Sequence, residues 1–133
     1  MKWKRINIKG KDTNYKVSNT GAVKNTKTGK FLVPTLVNGY PTYGIYLNVY
    51  RYTVAAHILV GKYFVDGWFE GAVINHIDED RINPHHTNLE YTTQEYNVNY
   101  SIERRKQGIP QPKIWTGKEY KESLKYHDLR IDK

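Results

Sequence analysis

The sequence predicts an α+β fold in which a small N-terminal antiparallel sheet and a helix precede a strand–loop–strand–helix unit and a basic C-terminal tail. Turn residues divide residues 1–52 into short β-leaning segments, a helical period begins near residue 53, and polar residues are dense between 75 and 99. The length of 133 residues suits one domain with appendages.

The N-terminal segment is predicted to form short strands at residues 15–17, 31–33 and 40–52. Turn signals separate them at residues 19–21, 28–29 and 38–39. In the longest run, one strand face is predicted to carry Tyr43, Ile45, Leu47 and Val49, and the other Tyr46, Tyr50 and Tyr52. The tyrosine-rich face suits either a half-buried sheet or a surface that contacts bases and sugars.

An amphipathic helix is predicted over residues 53–64. Its apolar residues recur at helical spacing, namely Ala56, Leu59, Val60, Tyr63 and Phe64. Strands are then expected at residues 72–77 and 89–91, joined by a polar loop over 78–87. Thr92 and Glu95 fit a capping box, which predicts a helix over residues 93–107.

We divide the chain into three parts: residues 1–52, residues 53–107 and residues 108–133. Gly108, Pro110 and Pro112 interrupt the last predicted helix and begin a linker. Residues 117–133 are weakly helical in pattern and too few to build a core. We expect this tail either to pack on the domain or to become ordered only with a partner.

The charge is distributed as two basic arms around a mildly acidic centre. The net charge is +8, and residues 1–30 contain nine Lys/Arg against one Asp. This arrangement favours a polyanionic partner, although a basic surface that serves only solubility is the alternative. The candidate phosphate contacts are Lys2, Lys4, Arg5, Lys24, Lys27, Arg104, Arg105 and Lys106. The last three also suit the negative end of a helix.

Composition excludes several classes of protein. There is no cysteine, so disulfides, thiolate zinc sites and cysteine nucleophiles are excluded. No run of about 18 apolar residues is present, as a spanning helix requires. The first residues are basic but lack the apolar stretch of a secretory signal. We therefore expect a soluble, cytoplasmic protein.

Three polar side chains are predicted to meet at one small site. His76 ends the first strand of the strand–loop–strand unit, Asn75 precedes it, and Asn97 lies early in the following helix. A hairpin packed on a helix brings the strand end and the helix face together. A neutral imidazole accepts a proton from water, and oxygen ligands hold a hard cation. The pattern therefore indicates phosphodiester hydrolysis with one divalent ion.

The same segment resembles the HNH endonucleases encoded by phages and mobile introns, which have the ββα-metal (His-Me finger) fold. Asn88 and Asn97 follow His76 at distances of 12 and 21 residues. Upstream residues resemble the small nuclease-associated modular domain that often precedes HNH units. The matching segments are residues 3–4, 15–19, 21–23, 39–40, 54–64, 75–78 and 88–93, together with Asn83, Glu95 and Asn97.

The resemblance implies a metal-dependent DNA endonuclease. His76 is then the general base, Asn75 and Asn97 are metal ligands, and Asn88 braces the loop and holds the imidazole in its tautomer. The implied cofactor is one divalent ion, Mg²⁺ with Mn²⁺ as an alternative. The implied partner is double-stranded DNA, cut to leave a 5′-phosphate and a 3′-hydroxyl in the cytoplasm of a bacterial host. A homodimer is left open, and no membrane partner is expected.

Other interpretations of these residues stay open at this point. Asn75 stands where relatives often carry Asp or His, so a non-catalytic DNA-binding or regulatory protein that keeps the HNH fold is an alternative. An RNA-binding protein that uses the tyrosine face is another. His57 is expected to be a partly buried histidine with its hydrogen bonds satisfied. A solvated acidic turn, or else a second cation site, is expected at Asp78, Glu79 and Asp80.

Overall fold

The computed structural model describes residues 1–124 and 128–130, and it confirms the predicted α+β class. Within these ranges eight strands form three antiparallel sheets, and three α-helices pack around them. The strands are β1 (Trp3–Ile8), β2 (Lys11–Ser18), β3 (Val23–Asn25), β4 (Thr35–Val37), β5 (Tyr40–Leu47), β6 (Tyr50–Ala55), β7 (Val73–His76) and β8 (Leu89–Thr92). The helices are α1 (Ala56–Phe64), α2 (Gln94–Lys106) and α3 (Gly117–Ser123).

The first sheet has the order β1-β2-β3 and supplies one wall of the core. Lys9 and Gly10 both have positive φ, at 52° and 79°, in the tight turn between β1 and β2. Alternation along the strands turns apolar residues inward, and the core also takes residues from β5, α1 and β8. The buried members are Ile6, Tyr15, Val17, Val23, Tyr43, Ile45, Ala56, Leu59, Val60 and Leu89.

The second sheet corrects the prediction of a single strand over residues 40–52. The chain turns back at Asn48, where φ is 57°, so β5 and β6 form a hairpin in which Leu47 pairs with Tyr50. Tyr43 and Ile45 share one strand face, as predicted, and both are buried, but Val49 lies at the turn and is 86% exposed. The alternating pattern did not show where the strand ends, because Asn48 carries no Gly beside it as a turn signal.

The helix α1 begins three residues later than predicted. Thr53 and Ala55 continue the ladder of β6, pairing with Gly44 and Thr42 of β5. The predicted apolar face lies against the core, since Leu59 and Val60 are buried. Because β6 spans residue 52, our division at residue 52 falls within a strand, and the three-part division stays a prediction.

A long hairpin and a helix follow. β7 and β8 pair in antiparallel register, and a short 3₁₀ helix, His86–Asn88, leads into β8. The N-cap of α2 is Thr93, whose side chain accepts from the Tyr96 amide, and not Thr92 as predicted. Thr92 is still paired with Val73 in the β7–β8 ladder, so the helix cap falls one residue later.

The loop between β7 and β8 contacts the N-terminal sheet. Gly21 has a φ of +95°, and a Cβ there would lie 2.5 Å from Cγ of Pro84. Nearby, the His86 amide donates to the Asn19 carbonyl oxygen at 2.9 Å. Glycine at position 21 is therefore required both by the backbone conformation and by this close approach.

The C-terminal segment packs on the domain, which was one of our two expectations. Tyr120 of α3 is only 1% exposed, and the Thr20 hydroxyl donates to the Leu129 carbonyl oxygen. A full capping box is present here, between Thr116 and Glu119. The rest of the predicted basic tail, residues 125–127 and 131–133, lies outside the described residues. No helix in the described ranges is long and apolar enough to cross a bilayer.

Candidate active site

His76 is the last residue of β7 and lies opposite Leu89 of β8. It is 7% exposed, and two aromatic rings pack on it: the ring centroids of Tyr40 and His57 lie 5.5 Å and 5.0 Å from that of His76. Tyr40 also contacts His57, with the centroids 4.6 Å apart. The rings of Tyr40 and His57 hold the imidazole in place through packing.

The two nitrogens of His76 lie in different surroundings. Nε2 is buried and has no hydrogen-bond partner among the described residues, whereas Nδ1 is not buried in this way. Burial lowers the pKa of His76 to about 4; Asp78 opposes the shift and Arg81 adds to it. The imidazole is therefore neutral at pH 7, which is the form able to accept a proton.

Asn75 is oriented by its neighbour across the ladder. Its partner in register is Glu90, and Nδ2 of Asn75 donates to Oε1 of Glu90 at 3.1 Å. A carboxylate only accepts hydrogen bonds, so it must face the NH₂ of the amide. The carbonyl oxygen Oδ1 of Asn75 is therefore the end of the amide that remains for another ligand.

A cleft of about 170 Å³ brings the hairpin and α2 together. Asn75 and His76 line it from the strand, and Asn97 lines it from the first turns of the helix. The three side chains that the sequence placed at one site therefore share one cavity. The whole lining is Tyr40, Ile74, Asn75, His76, Glu79, Arg81, Asn97, Tyr100, Ser101 and Gln111.

Asn88 organises the loop through hydrogen bonds of its side-chain amide. Its Oδ1 accepts from the Asp78 amide at 2.9 Å, and its Nδ2 donates to Asp78 Oδ1 at 2.8 Å and to the Asn83 carbonyl at 3.1 Å. In the described part of the chain none of its side-chain bonds goes to His76. The ring is held by Tyr40 and His57 instead, which differs from the tautomer role that we expected for Asn88.

Comparisons with known proteins identify the family of this site. Residues 1–46 match the model of the NUMOD4 motif. The solved structure of the HNH homing endonuclease I-HmuI superposes with a TM-score of 0.70 and 31% identity, covering 96% of this chain and 68% of that one. This chain belongs to the HNH endonuclease family.

Two viral proteins show the extent of the similarity. DNA endonuclease I-HmuI of Bacillus phage SP01 is 38% identical over 105 residues, which cover 78% of this chain and 59% of the relative. The HNH endonuclease L245 of Acanthamoeba polyphaga mimivirus is 35% identical over 101 residues, covering 76% and 30% respectively. The chain thus spans only part of the length of these relatives.

HNH endonucleases generally use a divalent metal, and the residues of the cleft fit a hard cation. Among the described residues no three His, Asp or Glu side chains converge on one point. The candidate donors are therefore the amide oxygens of Asn75 and Asn97, both on the cleft. Amide and water oxygens suit Mg²⁺ or Mn²⁺ better than zinc, which prefers nitrogen and sulfur ligands.

The predicted DNA-binding residues of the first arm lie in or next to the strands of the N-terminal sheet, and some of them already bind other groups of the protein. Lys2 and Lys27 are exposed. Lys4 Nζ donates to the Tyr63 carbonyl at the end of α1, and Arg5 Nη1 donates to the Thr13 carbonyl. Lys24 lies over the Trp3 ring at 4.3 Å. Their role in DNA binding stays a prediction.

The cations at the end of α2 are engaged by acids. Arg104 and Arg105 both bind Glu79, and Lys106 Nζ lies 3.3 Å from Oε1 of the exposed Glu103. We expected Glu79 to lie in a solvated turn, but its side chain is only 12% exposed. No local pattern could reveal this pair, because 25 residues separate Glu79 from Arg104.

Sequence reasoning missed Arg81 of the cleft and misread His57, which contacts His76 from α1. Arg81 donates to the Asn38 carbonyl at 3.1 Å and lies over the Tyr40 ring at 5.3 Å. We expected the hydrogen bonds of His57 to be satisfied, but its Nδ1 is buried without a partner in the described ranges. Burial lowers the pKa of His57 to about 4, and the neighbouring His76 makes a smaller contribution in the same direction. Only the tertiary fold places these residues beside His76.

Proposed function

We propose that this chain is a metal-dependent endonuclease that hydrolyses phosphodiester bonds in double-stranded DNA. The observation that carries the proposal is a neutral imidazole, His76, in a cleft shared with the amides of Asn75 and Asn97. Membership of the HNH family and the similarity to DNA endonuclease I-HmuI support it.

In this proposal His76 is the general base. Nε2 is buried against protein, so we assign proton acceptance to Nδ1. A pKa near 4 keeps the imidazole unprotonated at neutral pH, and the rings of Tyr40 and His57 restrict its rotation. A positioned base of this kind typically contributes a rate factor of about 10²–10⁴.

Asn75 and Asn97 would hold one divalent ion, Mg²⁺ with Mn²⁺ as a substitute. When bound, the ion supplies positive charge that stabilises the phosphate and the leaving oxygen. Because Nδ2 of Asn75 donates to Glu90, the amide oxygen of Asn75 is the atom left to bind the ion. Both ligands are neutral, so the ion retains more charge to act on the phosphate, but it is bound less tightly than by carboxylates.

The rest of the surface suits a duplex. Arg81 places a guanidinium in the cleft, where the phosphate must lie. The exposed Lys2 and Lys27 on the N-terminal sheet are available to neighbouring phosphates. One site per chain predicts nicking of one strand by a monomer and cutting of both strands by a homodimer. We place the reaction in the cytoplasm of a bacterial host, since a relative comes from a Bacillus phage.

Plasmid nicking tests this proposal. Supercoiled DNA is incubated with the wild-type chain and Mg²⁺ or Mn²⁺, and then with His76→Ala. We expect the variant to lose at least about 100-fold in rate while its affinity for uncleaved duplex, measured in Ca²⁺, stays the same. His86→Ala, in the loop beyond the cleft, serves as the matched control.

Two results would contradict the proposal. The first is a wild-type chain that nicks DNA with no divalent ion, and the second is a His76→Ala variant as active as the wild type. DNA binding without cleavage would favour the alternative, a non-catalytic DNA-binding or regulatory protein with the HNH fold.

A further inference from the structure

The helix α2 carries a proposed metal ligand but has almost no hydrophobic attachment. None of its residues is buried. Its apolar residues are exposed, namely Tyr96, Val98 and Ile102. The half-buried residues Asn97, Tyr100 and Arg104 follow at spacings of three and four, so they share the face turned to the hairpin. The inward face of α2 is therefore polar.

Hydrogen bonds and ion pairs hold this face in place. The Tyr100 hydroxyl donates to the Ile77 carbonyl oxygen at 2.6 Å. One turn further along, the Glu79 carboxylate accepts from Nε of Arg104 and from Nη2 of Arg105 through the same oxygen, Oε1. Both attachments come from the residues that directly follow His76, so they join the two halves of the cleft.

Glu79 adopts a backbone conformation that side chains other than glycine rarely take. Its φ is +62°, in the left-handed region, where the Cβ crowds the backbone. Its amide donates to the His76 carbonyl at 2.9 Å, which closes the turn after β7. Strained residues of this kind persist where surrounding contacts compensate, and they cluster at functional sites. At this position the two arginines bind the side chain and the His76 carbonyl binds the amide.

We propose that Glu79 is a positioning residue of the nuclease site, which holds α2, and with it Asn97, at its working distance from His76 through Arg104 and Arg105. The inference rests on the proposed nuclease function. Asn97 and Arg104 are seven residues apart, about 10 Å along the helix axis. Release of the far end lets α2 tilt away from the hairpin, and small displacements of a ligand cost much rate.

This role differs from two simpler ones. A purely structural ion pair would change the melting temperature and leave kcat unchanged. If the ion pairs only kept Arg104 and Arg105 from binding DNA, breaking them would lower KM for DNA. The kcat would again be unchanged. A positioning role changes kcat itself.

The experiment compares Glu79→Gln, Glu79→Gly and Glu103→Gln in the full chain, in the plasmid nicking assay with Mn²⁺. Glu79→Gln removes the charge but keeps a Cβ in the left-handed backbone conformation. Glu79→Gly removes both the charge and the crowding of the Cβ. Glu103→Gln breaks the exposed pair with Lys106 on the same helix and is the matched control. Hydrogen exchange of the α2 amides provides a readout that is independent of cleavage.

We expect both Glu79 variants to lose about tenfold in kcat, without an increase in KM for DNA, and α2 amides near Arg104 to exchange faster. Glu79→Gly should melt at the same temperature as the wild type or higher, because the left-handed conformation suits glycine. Glu103→Gln should stay within twofold of the wild type in every measurement.

Wild-type kcat in Glu79→Gln, or unchanged amide exchange in α2, would overturn the inference. A loss of kcat in Glu79→Gln that Glu79→Gly does not share would also overturn it, since both variants remove the carboxylate. If the wild-type chain cleaves nothing, the proposed function fails by itself, and the exchange measurement still decides whether Glu79 holds the helix.

Discussion

The helices α1 and α2 both contact the hairpin of β7 and β8 and are held by opposite means. α1 turns Ala56, Leu59 and Val60 into the core, so its position is fixed by buried apolar area. α2 buries no residue and attaches through Tyr100 and the pair of arginines. Apolar burial is non-directional, whereas hydrogen bonds define distance and angle.

This difference divides stability from function within a small chain. In the strand that bears His76, Ile74 packs against the core and His76 lines the cleft, so the proposed base is part of the scaffold. Asn97 lies on the helix that has the fewest buried groups, and such elements open at low free energy. The site therefore combines a rigid half with an adjustable half.

The largest effect is expected from truncation of an apolar residue in α1, compared with the same kind of truncation in α2. Leu59→Ala should reduce the free energy of unfolding by about 2–5 kcal/mol, because it leaves a cavity in the core. Ile102→Ala, on the exposed face of α2, should change it by no more than about 0.5 kcal/mol. Urea unfolding of the two variants measures both values, and equal losses would show that α2 is packed as α1 is.

The second effect is acid sensitivity at His57 of α1 and at His76, whose rings are in contact. His57 and His76 have a pKa near 4 when folded, against about 6.5 in the unfolded chain. Between these values the unfolded chain binds more protons, so stability is complete above about pH 6.5 and falls as the pH drops toward 4.

The change between pH 7 and pH 5 should be about 1–2 kcal/mol for each of the two imidazoles. His57→Gln should remove about half of this loss, as measured by urea unfolding at pH 7, 6 and 5. A variant that keeps the full slope would show that His57 is charged or solvated in the folded state.

Third, Tyr100→Phe tests the hydroxyl that ties α2 to Ile77. Loss of one hydrogen bond, with the Ile77 carbonyl left to water, should cost about 1 kcal/mol. The lost bond attaches α2 to the hairpin, so hydrogen exchange should become faster in α2 and stay unchanged in α1. Tyr96→Phe, whose ring is exposed, is the control, and equal effects of the two would argue against polar docking.

The smallest effect concerns the start of α2. Thr93→Ala removes the side chain that accepts from the Tyr96 amide and should cost about 0.5 kcal/mol, the low end for a helix cap, because α2 contributes little to the core. Thr92→Ala leaves the cap intact and should cost less. Urea unfolding measures both variants. A larger loss of unfolding free energy for Thr92→Ala would support the predicted capping box of Thr92 and Glu95.

Several parts of the fold and the site were predictable from local pattern. The face of α1 follows from the spacing of its apolar residues, and Tyr43 and Ile45 are buried as alternation requires. Where two local signals competed, the pattern failed: Thr92 and Thr93 are both good caps, and the strand ladder decided between them.

Taken alone, the sequence determined the α+β class and the family resemblance, because periodicity and motif spacing are read along the chain. The order of strand, loop, strand and helix then predicted the grouping of Asn75, His76 and Asn97. The tertiary structure alone decided which partners the charged and aromatic side chains have. Glu79 meets Arg104, and His57 meets His76, across separations of 25 and 19 residues. Such contacts depend on how elements pack, which no local pattern encodes.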